Sequence, residues 1–182
     1  MVPDHRATFE QLYDDHIRAV HAYAVRRLGP SIADDIVAET FAAAWRRIAE
    51  APASEAQLVW LLGIARGYVK NARRGERRRS ALLERIGAQP ALVQPEPELG
   101  LDPALQTALS ELGDIDRELL CLIAWERLDA EAARRVLGLT AVGLRVRLHR
   151  ARKKVQAHLV DSPDLPNFGE PSVESTRKGD SL

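Results

Sequence analysis

Residues 60–85, WLLGIARGYVKNARRGERRRSALLER, change character along their length while keeping one helical phase. Trp60, Leu61, Ile64, Ala65, Tyr68, Val69 and Ala72 recur at three- and four-residue steps, the spacing that gives a helix one apolar stripe. Arg66, Lys70, Arg73 and Arg77 follow the same step on the opposite side, and Arg74, Arg78, Arg79 and Arg85 thicken the charge. Eight basic groups against two acidic ones in 66–85 are not the mixed-sign pattern of a merely solvated face. A helix anchored by one stripe and presenting a ladder of guanidinium groups on the other suits a polyanion.

At 182 residues the chain holds one ordinary domain or two small ones. Its net charge of zero hides strong segregation: −3 over 1–59, +6 over 66–85, −8 over 86–133, +8 over 134–154 and −3 beyond. Two basic islands separated by acidic stretches suit a protein that touches DNA at two places. The single Cys121, in the apolar run LLCLIAW, can form no internal disulfide and reads as a buried core thiol in a reducing setting. No run is long and apolar enough to span a bilayer, and MVPDHRATF has no hydrophobic signal region, so the expectation is a soluble, cytoplasmic protein without membrane partners.

In chain order, Thr8 with Gln11 reads as a capping box opening a helix whose stripe is Phe9, Leu12, Tyr13, His16, Ile17, Val20, Tyr23 and Ala24. Gly29-Pro30 ends it, and Ser31 with Asp34 is expected to cap the next helix, with stripe Ile36, Val37, Phe41, Ala44, Trp45 and Ile48. Asp35, Ala38, Glu39 and Ala42 then form an acidic, small-residue face that another helix can approach closely. Residues 50–57, EAPASEAQ, read as a loop delivering the chain to Trp60. After the proline-rich, acidic GAQPALVQPEPELGLDP, Asp102-Pro103 opens a helix with stripe Leu105, Ala108, Leu109 and Leu112, ended by Gly113. Asp114 is expected to cap the largely apolar IDRELLCLIAWE, Asp129 the short AEAARRVL, and Thr140 the last helix, with a turn at Gly138-Leu139. Short helix, glycine turn, longer basic helix is the helix-turn-helix pattern. In the last helix Leu144, Leu148, Ala151, Val155 and Leu159 form the buried stripe. Val142, Val146, His149, Arg150 and Lys153 project opposite, flanked by Arg145 and Arg147, where arginines meet guanine edges or phosphates and valines meet thymine methyls.

The pattern therefore predicts an all-α chain: a three-helix domain over 8–86, a flexible linker over 87–101, a helix-turn-helix domain over 102–160 and a disordered tail over 161–182. The histidines and the cysteine show no zinc spacing, and there is no phosphate loop, nucleophile elbow or dinucleotide fingerprint. No metal, cofactor or catalytic activity is expected.

DIVAETFAAAW, WLLGIARGYVKNARR, ALSELGDIDRELLCLIA and VLGLTAVGLRVRLHRARKK, in that order, resemble the extracytoplasmic-function sigma factors of bacteria, compact two-domain members of the sigma-70 family. The resemblance runs from about residue 8 to residue 159. It implies a protein that binds core RNA polymerase, directs it to promoter DNA and helps open it, with an anti-sigma factor as a further partner in many members. By that likeness Asp35, Ala38, Glu39 and Phe41 dock on the polymerase clamp helices. Arg66, Gly67, Lys70, Asn71, Arg73, Arg74, Arg77 and Arg78, with the preceding loop, take the minus-10 element. Thr140, Val142, Arg145, Val146, Arg147, His149, Arg150 and Lys153 read the minus-35 element.

The chain departs from the family pattern at Ala38, where Gln is usual, at Gly67, where Asn is usual, at Arg134, where a small alanine is usual, and at Ala141, Val142 and Gly143, where polar or small residues begin the recognition helix. Larger apolar groups are usual near Ala133. Different or looser packing of the helix-turn-helix and an unusual minus-35 preference are the expected consequences. Two other readings use the same residues: a free-standing helix-turn-helix regulator, and a polymerase-binding adaptor whose DNA reading has degenerated.

Overall fold

Asp4 starts the first helix: its carboxylate accepts from the backbone N–H groups of Arg6 and Ala7, so α1 runs His5–Leu28. The expected cap at Thr8 is displaced by a turn, because Asp4 is the better acceptor and the Thr8 hydroxyl instead donates to the Asp4 carbonyl at 2.9 Å. The computed structural model describes residues 4–85 and 103–158, so the predicted linker over 87–101, Asp102 and the tail over 161–182 lie outside the described residues.

Gly29, at φ 79°, turns the chain directly from α1 into α2, Pro30–Arg46, with proline in the first turn. The cap expected at Ser31 is therefore not formed, since the helix has already begun. A short 3-10 turn, Ile48–Glu50, leads to α3, Ser54–Arg85. The helix starts earlier than the polar composition of 50–57 suggested, which leaves only residues 51–53 between the two elements. Then follow α4, Pro103–Ser110; α5, Asp114–Ala124; α6, Ala130–Leu137; and α7, Ala141–His158. The helix α4 ends at Ser110, before the expected Gly113, and Gly113 rather than Asp114 stands at the N-cap of α5. Asp129 does cap α6, accepting from the Ala132 N–H at 2.6 Å. Among the described residues every regular element is a helix.

The first three helices pack on one another pairwise. Leu12, Val20, Tyr23 and Ala24 of α1, Ile36, Val37, Phe41 and Ala44 of α2, and Leu61, Leu62, Ala65 and Val69 of α3 form the buried centre. Phe9, Tyr13, Phe41 and Trp45 close one end in tilted and edge-to-face contacts, the closest being Tyr13–Phe41 at 4.8 Å between centroids. In the second unit Ala108, Leu109 and Leu112 pack with Leu120, Ala151 and Val155.

The two units are not joined through residues 87–101 alone. Helix α6 lies on α3. Ala132, Ala133, Val136 and Leu137 of α6 carry the first core on into Leu119, Leu122 and Leu144. The physical reason is economy of apolar surface: an eight-residue helix with one small-residue stripe is covered by α3 on one side and by α5 and α7 on the other.

At the same junction sits a buried ionic cluster. Arg27 Nε donates to Glu118 Oε2 at 2.8 Å, and the Tyr23 hydroxyl donates to Glu118 Oε1 at 2.9 Å. Arg27 Nη2 lies 3.0 Å from Glu126 Oε1, and Arg26 pairs with the other oxygen of Glu126. The Arg27 guanidinium stacks over the Tyr23 ring at 4.6 Å and faces the Trp125 ring at 5.8 Å. Its own burial disfavours its charge, yet Glu118 more than offsets this and keeps it protonated. Removing one partner of such a pair costs about 3–5 kcal/mol, because the other charge is left buried and alone.

Burial, and then the Glu118 carboxylate, push the Tyr23 phenol far above its ordinary range. A raised folded-state pKa gives stability that is complete below the unfolded value and is lost as pH rises past it. The protein should therefore lose stability above about pH 10, by up to about 1.4 kcal/mol per pH unit from this one group. Urea unfolding across that range should show the slope in the native chain and lose most of it in Tyr23→Phe.

Candidate nucleic-acid interface

The turn before α7 is built from three local devices. Gly138 takes the left-handed conformation at φ 65°, and its N–H closes on the carbonyls that end α6. Arg134 Nη1 donates to the Leu139 carbonyl at 2.7 Å, while its Nε pairs with Glu131 at 2.8 Å and holds that carboxyl below its usual range. Thr140 caps α7 by accepting from the Gly143 N–H at 3.0 Å. The looser packing expected from Ala133 and Arg134 is not seen: Ala133 is fully buried, and Arg134 braces the turn. A Cβ at Gly143 would sit 3.0 Å from the Thr140 hydroxyl. The glycine that costs α7 about 1 kcal/mol in helix propensity thus leaves room for the cap.

Leu144, Ala151 and Val155 are buried as expected. Val142 is 70% exposed and Val146 42%, although both are apolar. Thr140, Arg145, His149, Arg150 and Lys153 are exposed with them. Arg147 differs: its Nη1 is held by Asp116 of α5 at 2.8 Å, which ties α7 to α5. It is thus a brace between helices rather than part of the open face.

On α3, Gly67, Lys70, Asn71, Arg74 and Arg78 are exposed. Arg66 and Arg73 are half-buried, and Arg73 Nη2 donates to the Arg27 carbonyl at 3.0 Å. Arg77 lies 3.7 Å from Asp114 at the start of α5. Arg66, Lys70, Arg73 and Arg77 thus form one wall of a cleft of about 450 Å³, with Arg147 and the first residues of α5 opposite. Nearer the start of α3, Trp60 is half-buried, with the Arg47 guanidinium 5.8 Å from its ring. Trp60, Pro52, Val59 and Ile64 line a shallow groove that Arg135 of α6 shares. Tyr68 is also half-buried and packs on the core.

On α2, Asp35, Ala38, Glu39 and Ala42 are exposed on one face. Phe41 is not part of it: at 4% exposure it belongs to the core, because its ring is enclosed by Phe9 and Tyr13. Trp45, expected inside, is 46% exposed, and Ile32 is 39% exposed. Sequence reasoning missed Arg27, Glu118 and Glu126 altogether. The available signal was Glu118 itself, the last carboxylate before the apolar run of α5. Among the described residues no group of three or more His, Cys, Asp or Glu side chains could hold a metal ion. No helix among them is long and apolar enough to cross a membrane.

An all-α chain with two one-signed helix faces has the build of a nucleic-acid-binding protein. Comparison with known proteins makes this specific. Residues 12–79 match the model of sigma-70 region 2. The chain is 30% identical over 164 residues to the RNA polymerase sigma factor NccH of Alcaligenes xylosoxydans xylosoxydans, covering 85% of this chain and 88% of that one. It is 30% identical over 139 residues to the probable RNA polymerase sigma factor RfaY of Xanthomonas campestris pv. campestris, of which it spans 35%. Among solved structures, CnrH in complex with the cytosolic domain of CnrY is similar at TM-score 0.56 and 26% identity, over 86% of this chain and 89% of that one. The sigma factor RpoE in complex with the anti-sigma factor NepR from Bartonella quintana shares the fold at TM-score 0.63 and 23% identity, over 85% and 98% of the two chains. The chain belongs to the sigma-70 family of RNA polymerase sigma factors, in its extracytoplasmic-function branch. Members of that family direct RNA polymerase to promoters and are not enzymes, and neither the free-standing regulator nor the adaptor is favoured.

The burial of Phe41 and the exposure of Ala38 separate structure from surface. Phe41→Ala should destabilise the fold by about 3–5 kcal/mol, the cost of emptying an aromatic core site. Ala38→Gln should change stability by no more than about 0.5 kcal/mol. Thermal unfolding of the two variants checks both.

Proposed function

We propose that three faces divide the work of this sigma factor. The exposed small acidic face of α2, with Asp35, Ala38 and Glu39, accepts a helix of core RNA polymerase, the carboxylates answering basic groups on that helix. Phe41 contributes by supporting α2 from within, as its burial requires. The basic face of α3, with Lys70, Asn71, Arg74 and Arg78 in front and Arg66, Arg73 and Arg77 beside them, takes the minus-10 element. The open face of α7, with Thr140, Val142, Arg145, Val146, His149, Arg150 and Lys153, reads the minus-35 element in the major groove. Arg147 holds that helix in place.

The observation that carries this reading is the pairing, in one chain, of two helices that bury an apolar stripe and turn a one-signed basic face outward. Exposed Val142 and Val146 among those cations favour base contact over simple attraction to phosphate, since a phosphate site has no use for two methyl-bearing side chains. The protein works in the cytoplasm, where polymerase and promoter are, and carries out no catalysis itself. RpoE was solved with an anti-sigma factor and CnrH with the cytosolic domain of CnrY, which supports an anti-sigma factor as a partner of this chain.

Run-off transcription with purified core polymerase separates the faces. Arg145→Ala with Arg150→Ala should lower initiation at promoters bearing a minus-35 element at least about tenfold, on the order of one to three kcal/mol per lost base contact. Holoenzyme formation should be unchanged. Asp35→Lys with Glu39→Lys should abolish association with core polymerase. Equal loss of both properties in the arginine variant, or holoenzyme formation by the lysine variant, would contradict the division.

A further inference from the structure

We infer that Val142 and Val146 make α7 a reader of thymine methyl groups, so that the minus-35 element of this protein is selected through two C5 methyls as well as through hydrogen bonds. The inference rests on the reading of α7 as the minus-35 face and names what that face selects.

The start of α7 is apolar where the fold gives it no reason to be. Val142 is the most exposed of the large apolar side chains among the described residues, and Val146 follows it one turn on. The buried residues of the same helix, Leu144, Ala151 and Val155, form its packed side without them. Two β-branched residues also lower the helix propensity of a segment that already carries Gly143. Single exposed apolar groups are ordinary on a protein surface. Here two of them are stacked on the outer face of a helix whose residues 141–158 include no carboxylate.

That face divides along its length. At about 100° per residue, Val142, Val146, His149 and Lys153 fall within about 60° of arc. The valines occupy its first half, and the imidazole and ammonium groups its second. In a helix-turn-helix the first turns of the second helix meet the base edges in the major groove. The apolar half therefore lies over the bases, and Lys153 lies toward the backbone, where phosphate contacts position without specifying. The C5 methyl of thymine is the one apolar group that a base pair presents in that groove. Four residues of helix rise about 6 Å, against about 3.4 Å for one base pair. The two methyls should therefore stand one or two base-pair steps apart, on either strand. A protein partner would have to answer the surrounding cations with carboxylates beside each apolar contact, whereas DNA supplies the anionic backbone and the methyl together.

The test uses holoenzyme assembled from the full chain and core polymerase, with a promoter fragment that it transcribes from the genomic DNA of its own organism. The minus-35 segment of that fragment is resynthesised with deoxyuridine at each thymine in turn, since uracil lacks only the C5 methyl. Deoxyuridine at one or two positions should weaken promoter binding about fourfold each, the worth of one buried methyl, and the other positions should tolerate it. Val142→Ala and Val146→Ala should each lose a similar factor on the thymine promoter and become indifferent to uracil at the position that the missing side chain covered. Both valines are exposed, so the variants should keep the fold, which circular dichroism checks. Uracil tolerated at every thymine, or a minus-35 segment without thymine on either strand, would overturn the inference. So would a valine variant impaired by the same factor on thymine and uracil promoters, which would point to a protein contact instead. Arg145→Ala with Arg150→Ala separates this from the reading beneath it. If that chain uses the minus-35 segment at full strength, the assignment of α7 fails and the inference with it; if it is impaired while uracil is tolerated throughout, the inference alone fails.

Discussion

The guanidinium of Arg27 is the charge around which the two halves of the chain are arranged. It is 2% exposed at the side chain, lies over one aromatic ring and faces another, and takes its counter-charge entirely from the second unit. A buried cation tolerates little displacement of its partners. Glu118 must therefore stand opposite the end of α1, and this sets the height of α5. Glu126 pairs with Arg26 and Arg27, and the next residue, Arg127, takes the left-handed region at φ 53° just after α5. The turn then releases the chain into Asp129 and α6, which falls on α3. The helix-turn-helix is thus held beside the first three helices by this ion cluster together with the apolar core that α6 carries across the junction.

Helix α3 serves both sides of this arrangement. Its stripe of Leu61, Leu62, Ala65 and Val69 is part of the first core, and its other side carries the cationic ladder. One side chain cannot reach DNA and also hold the second unit. Arg66 and Arg73 are half-buried, Arg73 bonding the Arg27 carbonyl, while Lys70, Asn71, Arg74, Arg77 and Arg78 are exposed. Helix α7 shows the same division more simply, with Arg147 given to Asp116 and its neighbours left free of that task.

Much of this was legible in the sequence because it depends on local chemistry. The period of the apolar residues places Leu61, Ala65 and Val69 inside and Lys70 and Arg74 outside without any knowledge of what covers them. Gly29, Asp129, Gly138 and Thr140 mark their helix ends for reasons contained within a few residues. Helix starts went wrong where two capping groups compete, as Asp4 and Thr8 do, and where proline and glycine begin a helix without a side-chain cap, as at Gly29-Pro30. Phe41 and Trp45 lie four residues apart on the same stripe, and only tertiary packing decides that the first is enclosed and the second is 46% exposed. Arg27 is 91 residues from Glu118 and further still from Glu126, so their pairing leaves no local periodicity to read.

The most direct test of the account is to map where α3 and α7 meet promoter DNA in the assembled holoenzyme. A photo-reactive amino acid at Lys70 and another at Arg150, in separate chains bound to core polymerase, would be crosslinked to an end-labelled promoter. The account predicts adducts at the minus-10 element from position 70 and at the minus-35 element from position 150. Adducts from both positions in the same element, or none from position 70 in an initiation-competent complex, would contradict it.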